Sequence, residues 1–365
     1  MTLRKHYEDK IIDVVVDLIQ DRAIMQAALE EIRLKNFAKV RIVVNGSNKY
    51  NEEICISRIG RWALMYNVEI CSLNSPYTYE DISDKTSLVM TCSESSSPNH
   101  SFGRTIVEIS SKHLIPSIAI QHGFECIGLH HHPSQDSDYP WGIDIRSDFI
   151  ASWQPLGKLH SISPRTKGTL VPCGPISLYT RLSWLADSRK CLVNDDQLEK
   201  QEKKVINLLI CDNSHSPRFR DSKKKKLFGD FLQTITPKKN LICTLRKHPA
   251  NLRSSNSAHG NLRLLEGELT PYSLKKFDIV ITPPSSIAVD AALAGIPVII
   301  WSNSQSDDAI NYQPLLCIRD YDEFDHILKV FDREALRRLS KKFIADNFVN
   351  KYGGPKLMDL IEVVL

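Results

Sequence analysis

The segment Phe277–Asp290 (FDIVITPPSSIAVD) constrains the fold more than any other stretch of this 365-residue chain. An apolar strand runs straight into a polar turn that holds two adjacent serines, Ser285 and Ser286. A helix of small residues follows, then Gly295, Pro297 and a second buried strand, Val298–Trp301. The first N–H groups of a helix have no partner inside it, so such a helix start suits an anion. Serine is also a good helix cap, and the two roles are compatible because both use those N–H groups. Upstream, another apolar strand ends in Arg246-Lys247-His248-Pro249. Pro249 fixes its own φ and biases His248 towards an extended conformation, which holds the imidazole outward as a donor to phosphate. Arg246 and Lys247 add positive charge beside it.

Strand and helix signals alternate through most of the chain. Residues 7–35 read as a long amphipathic helix, with Ile11, Ile12, Val15, Ile19, Met25, Ala28 and Ile32 near helical spacing. Strands are predicted at 39–45, 68–73, 87–92, 116–121 and 148–153, with helices at 52–66 and 104–113. A second series begins near residue 200. It has strands at 204–211, 240–246, 261–265, 278–282 and 298–301, and helices at 224–235, 271–276 and 286–294. Two further helices, 333–352 and 355–365, close the chain. Apolar strands alternating with helices imply parallel sheets covered on both faces. The fold class is therefore α/β, with two Rossmann-like halves. The expected division is 1–175, 176–335 and a C-terminal helical part, 336–365, that crosses back to the first domain. Ligands of open parallel sheets bind beyond the carboxyl ends of the strands, and in a two-half chain those ends can face each other across a cleft.

Each notable polar cluster follows an apolar strand directly. Gln121-His122-Gly123-Phe124-Glu125 follows 116–120, and Asp212-Asn213-Ser214 follows 204–211. Asp212 is a candidate general base or carboxylate nucleophile, set against an ordinary Asx turn with Asn213. Gly123 permits a tight turn that exposes His122, a candidate base for an acceptor hydroxyl, against a hydrogen-bonded structural histidine. Glu125 is a second carboxylate candidate, and Gln121, Gly123 and Asn213 are candidate contacts to sugar or acceptor. His130-His131-His132 lacks a carboxylate or cysteine at ligand spacing, so no metal is expected. Asp136-Ser137-Asp138 and Asp320-Tyr321-Asp322 match a D-x-D pattern that is too short to be informative, and they read as loops or helix starts. No P-loop, dinucleotide or nucleophile-elbow motif occurs.

Bulk properties narrow the classes further. Hydrophobic residues make up 42% and charged residues 25%, as in ordinary globular chains. The net charge of +4 does not demand nucleic acid. The nine cysteines are scattered and form no C-x-x-C pair, which reads as reduced thiols in a cytoplasmic protein. No signal peptide is visible and no apolar run reaches the length of a membrane span. The basic runs at 218–226 and 333–342 are solvated helix faces or patches for an anionic inner-membrane surface.

Arg246-Lys247-His248-Pro249, followed by Asp278–Ala292 and Gly295-Ile296-Pro297, resembles the C-terminal half of GT-B glycosyltransferases that build bacterial surface polysaccharides. It is similar to the group with an HP motif and a Ser-Ser motif. That group includes sialyltransferases, capsule and O-antigen transferases of 3-deoxy-manno-octulosonic acid (Kdo), and polyol-phosphate transferases that use CDP-glycerol. The resemblance strictly covers residues 242–301. It implies that His248, Ser285 and Ser286 hold the phosphate of a cytidine-nucleotide donor. The acidic tripeptide of the sialyltransferases is absent. Gln121-His122-Gly123 is instead similar to the His-Gly element of the polyol-phosphate transferases, where the histidine is a base. Asp212 looks like the cleft carboxylate of the Kdo transferases. The implied activity is transfer of Kdo, ahead of sialic acid, from a CMP-activated donor to a glycan or lipid-linked glycan. No cofactor or metal is implied beyond the donor itself. A CDP-glycerol-type transferase, a sugar-nucleotide epimerase or hydrolase, and a non-catalytic glycan-binding subunit are the alternatives.

Overall fold

The computed structural model describes residues 9–18, 21–35, 38–46, 58–73, 82, 85–126, 128–130, 142–176, 205–212, 222–247, 262–265, 269, 271–302, 307–330 and 332–365. The chain divides into two compact units, Met1–Arg181 with Phe348–Leu365, and Leu182–Asn347.

In the first unit the order is β1 (Ile11–Val16), α1 (Asp21–Lys35), β2 (Lys39–Asn45), α2 (Arg58–Met65), β3 (Glu69–Leu73) and β4 (Thr86–Thr91). Then come α3 (Ser101–Lys112), β5 (Ser117–Ile120), β6 (Phe149–Ser152) and β7 (Thr169–Pro172). The strands pair in parallel in the order β3-β2-β1-β4-β5-β6-β7. This corrects the expectation of one helix over 7–35, because β1 is an inner strand of the sheet, between β2 and β4, and the helix starts only at Asp21. The physical reason is the run Ile-Ile-Asp-Val-Val-Val. Its β-branched side chains are stiff at χ1 and suit a strand. A strand buried on both faces shows no alternation, so the helical spacing of Ile11, Ile12, Val15 and Ile19 was coincidental.

Asp13, inside β1, stands opposite Arg41 of β2 in the strand register. The Arg41 guanidinium donates to Asp13 Oδ1 at 2.9 Å and to Oδ2 at 2.6 Å, and the Thr86 hydroxyl donates to Oδ2 at 2.8 Å. A carboxylate this deeply buried is tolerable only with such partners. Beyond the pair, Val15, Val43 and Val89 pack on Phe102, Ile106 and Val107 of α3.

The second unit contains β8 (Ile206–Asp212), α4 (Ser222–Ile235), β9 (Leu241–Lys247), β10 (Arg263–Leu264), α5 (Pro271–Leu274) and β11 (Ile279–Thr282). It continues with α6 (Ile287–Leu293), β12 (Val298–Trp301), β13 (Leu316–Ile318), α7 (Tyr321–Lys329) and α8 (Arg333–Asn347). Its parallel order is β10-β9-β8-β11-β12-β13. On one face Leu208, Ile210, Leu245, Ile281 and Trp301 pack on Phe228 and Phe231 of α4 and Phe324 of α7. Each such side chain contributes about 1.5–3 kcal/mol on burial. The other face meets α8, where the Val298 N–H donates to Ser340 Oγ at 3.2 Å. β13 and α7 were not read from the sequence. Asp320, from the D-x-D at 320–322, caps α7 by accepting the Glu323 N–H at 3.0 Å.

The last helix, α9 (Gly354–Val364), packs on α1 of the first unit. Gly354 makes that approach possible, since a Cβ there would lie 2.7 Å from the Glu31 side chain.

Both sheets carry the strand order in which sequence runs outward from a central strand and then reverses. The reversal falls between β1 and β4 in the first unit and between β8 and β11 in the second. Crevices at such reversals are where open α/β sheets bind ligands.

Candidate functional site

At the reversal in the first unit, Asp21 is the organising side chain. It opens α1 and is 1% exposed. Its Oδ2 accepts the N–H groups of Asp17 at 3.2 Å and Leu18 at 2.9 Å, and its Oδ1 accepts the Ser93 hydroxyl at 2.6 Å. Burial raises its carboxyl above the ordinary range, opposed by the nearby His122 and by these donors. α3 can lie over the turn after β4 because residue 103 is glycine. A Cβ on Gly103 would stand 2.4 Å from the Ser93 carbonyl oxygen.

One strand further, β5 delivers Gln121 and His122. Gln121 is buried, and its amide is engaged at both ends. Nε2 donates to the Gly123 carbonyl at 2.9 Å, and Oε1 accepts the Trp153 N–H at 2.7 Å. Gln121 therefore shapes the turn that presents His122. The His122 Nδ1 lies 3.3 Å from the Cys92 carbonyl oxygen and 3.5 Å from Cys126 Sγ. Burial pulls its pKa down, but the Cys126 sulfur, the Asp21 charge and the Cys92 carbonyl outweigh that and carry it up to about 9. His100 meets the His122 ring edge-on at 5.6 Å, and its own Nδ1 is 2.7 Å from Ser95 Oγ. Burial, then repulsion from His122, lowers His100 to about 3, so it is neutral at physiological pH.

Glu94, 3% exposed, ties the neighbouring loop in place. It accepts the N–H groups of Arg146 at 2.9 Å and Ser147 at 3.0 Å, and the Ser147 hydroxyl at 3.0 Å. Burial raises its carboxyl against those donors. Arg104 and Arg146 both reach Asp144, at 3.2 and 2.9 Å. A small pocket lies among Cys92, Glu94, His100, Gln121, His122 and Cys126.

Of the residues singled out from the sequence, Gln121, His122, Gly123 and Glu125 share this one turn. Asp21, Ser93, His100 and Cys126 were missed. Asp21 was hidden inside the supposed helix over 7–35. Its signal was the β-branched run ending at Val16, which leaves an acidic residue at the helix start that follows. The His-tract residue His130 is buried and stacks on Phe124 at 5.3 Å.

The second unit gathers Asp212, Arg246, Lys247, Ser285 and Ser286 at the carboxyl edge of its sheet. Cys211 pairs with Arg246 and Asp212 with Lys247 in the register of β8 and β9. Side chains alternate along a strand. Asp212 and Lys247 thus share the face of Ile210 and Leu245, and Cys211 and Arg246 share the other. Burial pushes the Cys211 thiol up to about 12, with Arg246 opposing and with Asp212 and the Asp290 carboxylate of α6 adding to the rise. Ser285 and Ser286 are half-buried in the turn between β11 and α6. Ser286 caps α6 without a side-chain bond to the helix, and the Ser285 and Ser286 carbonyls accept the N–H groups of Ala288 and Val289, both at 3.0 Å. Asn213, His248 and Pro249 lie outside the described residues.

No family model matches the sequence. No curated protein matches it either. Solved structures do. A UDP-GlcNAc 2-epimerase from Neisseria meningitidis, bound to UDP-GlcNAc, aligns over 97% of this chain and 99% of its own with a TM-score of 0.58 at 12% identity. The wall teichoic acid polymerase TagF, soaked with CDPG, aligns over 99% of this chain and 89% of its own with a TM-score of 0.56 at 11% identity. A glycotransferase of kitacinnamycin aligns over 97% and 99% with a TM-score of 0.54 at 10% identity. Likeness at such identity speaks to architecture. With two Rossmann-like units of the strand orders given above, the chain has the GT-B fold.

Proposed function

We propose that the protein is a glycosyltransferase that moves a sugar, Kdo ahead of sialic acid, from a CMP-activated donor to a lipid-linked or surface-polysaccharide glycan. The observation that supports it is the placement of Arg246 and Lys247 at the end of β9 and of Ser285 and Ser286 just after β11, the two strands that flank β8, at the carboxyl edge of one GT-B unit. In this reading that edge holds the donor phosphate, with His248 and Pro249 completing it. Arg246 and the serine turn stabilise the charge that develops on the departing phosphate, where such a site gains most. Asp212 serves as the carboxylate of the reaction, with Asn213 and Glu125 contacting sugar or acceptor.

His122 takes the acceptor side. A histidine with a pKa of about 9 holds its proton at neutral pH. It therefore supplies positive charge or a proton at neutral pH, and acts as a base only after that proton leaves. Among the described residues no helix is long and apolar enough to cross a membrane. A peripheral position at the inner membrane belongs to the proposal, through the basic runs at 218–226 and 333–342.

The likeness to TagF, together with His122-Gly123, favours a second reading, transfer of a polyol phosphate from CDP-glycerol. The likeness to the 2-epimerase supports a third, processing of a nucleotide sugar without an acceptor. Nucleotide release separates them. The purified protein is incubated with CMP-Kdo, CMP-sialic acid, CDP-glycerol or UDP-GlcNAc, with and without a glycan acceptor. The proposal expects CMP release that depends on acceptor and is lost in Asp212→Ala. Release from CDP-glycerol alone, or turnover of UDP-GlcNAc without acceptor, would replace it with the second or third reading.

A further inference from the structure

We propose that Cys126 is a positioning residue for His122, fixing the orientation and charge of its ring so that Nε2 is the atom presented to substrate. The inference rests on the reading that His122 takes part in the reaction, and adds a residue that reading did not use.

The argument starts from the Cys92 carbonyl oxygen, 3.3 Å from Nδ1. A carbonyl only accepts, so the proton of this contact sits on Nδ1. Cys126 Sγ, 3.5 Å from the same nitrogen, then accepts from it as well. Two acceptors on one nitrogen lock the ring about its Cα–Cβ and Cβ–Cγ bonds. Nε2 makes no hydrogen bond among the described residues, and His122 as a residue is half-buried beside the small pocket. That atom is thus the one left for a ligand. The arrangement has the logic of an orienting acceptor behind a catalytic imidazole, with the thiol in the place a carboxylate often takes.

The surroundings reinforce the assignment. Asp21 acts on His122 through space from the turn after β1, favouring the imidazolium. His100, the other titratable group beside the ring, is kept neutral by burial and does not compete for that charge. Cys92 is buried and its thiol is pushed well up, so from that residue the carbonyl is what faces the ring. Glu94 also lines the pocket, but the Arg146 and Ser147 amides hold it. Cys126 is the one side chain among these that touches Nδ1 directly. It lies four residues along the chain, in the turn that Gln121 shapes.

The test is proton NMR titration of the His122 ring in the full-length protein, with His122→Gln assigning the resonance. In the wild type the resonance is expected to titrate near pH 9. In Cys126→Ala it is expected to fall by about 1–3 pH units, the scale of one close charged or hydrogen-bonded partner. Cys126→Ser, which keeps a hydrogen-bonding atom at that place, is expected to fall by less. Thermal midpoints of the three proteins establish that the fold is kept. An unchanged His122 titration in a folded Cys126→Ala protein overturns the proposal, even if transfer is observed. Failure of every donor to react overturns the functional reading but leaves the titration result standing.

Discussion

The hydroxyl of Ser93 donates to Asp21 Oδ1 at 2.6 Å, a bond that joins the turn after β1 to the turn after β4. Those two strands are neighbours at the point where the strand order reverses. The carboxylate also gathers the Asp17 and Leu18 amides, so it fixes both lips of the crevice and the charge beside His122.

Asp21→Ala removes the acceptor of all three donors and leaves two of them, the Asp17 N–H and the Ser93 hydroxyl, buried. The expected loss of stability is on the order of 3 kcal/mol, against about 1 kcal/mol for Ser93→Ala. Urea unfolding of both variants measures it. Equal and small losses would mean that Asp21 does not organise the crevice.

Two histidines give opposite pH dependences. His122 is carried from 6.5 up to about 9 in the folded state. The stability it contributes is fully present below 6.5 and is lost as pH rises through 9. His100 is lowered from 6.5 to about 3, so its contribution is present above 6.5 and is lost as pH falls towards 3. Thermal midpoints across pH are expected to show the gap between wild type and His122→Gln narrowing from pH 6.5 to 9. A gap of constant size would show that His122 carries no such shift.

The Asp13–Arg41 pair is a packing device at a distance from the chemistry. Arg41→Ala leaves a buried carboxylate with the Thr86 hydroxyl as its remaining donor among the described residues, at an expected cost of about 3–5 kcal/mol. Asp13→Leu combined with Arg41→Met removes both charges and is expected to recover most of that loss. Chemical denaturation of the single and double variants decides it. A double variant no more stable than Arg41→Ala would contradict the account.

Much of the architecture was legible because burial pattern and turn chemistry agreed. β12 was read with its observed bounds, since Gly295 and Pro297 on one side bracket an unbroken apolar run. β1 was not legible. A six-residue buried strand and a stretch of amphipathic helix show the same apolar content, and the long α1 directly after it extended the helical pattern backwards. The error carried Asp21 with it. Gln121 shows a different limit. Its polarity marked it as a ligand contact, while its amide in fact ties Gly123 to Trp153 across the strand ends. The pairing of His122 with Cys126 lies only four residues apart, yet it depends on a turn whose path no residue pattern specifies.

In the second unit, the alternation of β9 separates two neighbouring cations. Arg246 shares its face with Cys211, whereas Lys247 shares the opposite face with Asp212. Arg246→Ala is expected to weaken CMP binding roughly tenfold to a hundredfold, the scale of a charge-assisted hydrogen bond. Lys247→Ala is expected to weaken it less. Isothermal titration with CMP measures both, and equal effects would remove the distinction between the two faces.

The central claim is that the second unit binds a cytidine nucleotide. A ligand that binds only the native state raises the thermal midpoint. A thermal-shift panel of CMP, CDP, UDP and GDP on the whole protein tests this most directly. The account predicts the largest rise with CMP, reduced in Arg246→Ala. A rise with UDP or GDP and none with either cytidine nucleotide would contradict it.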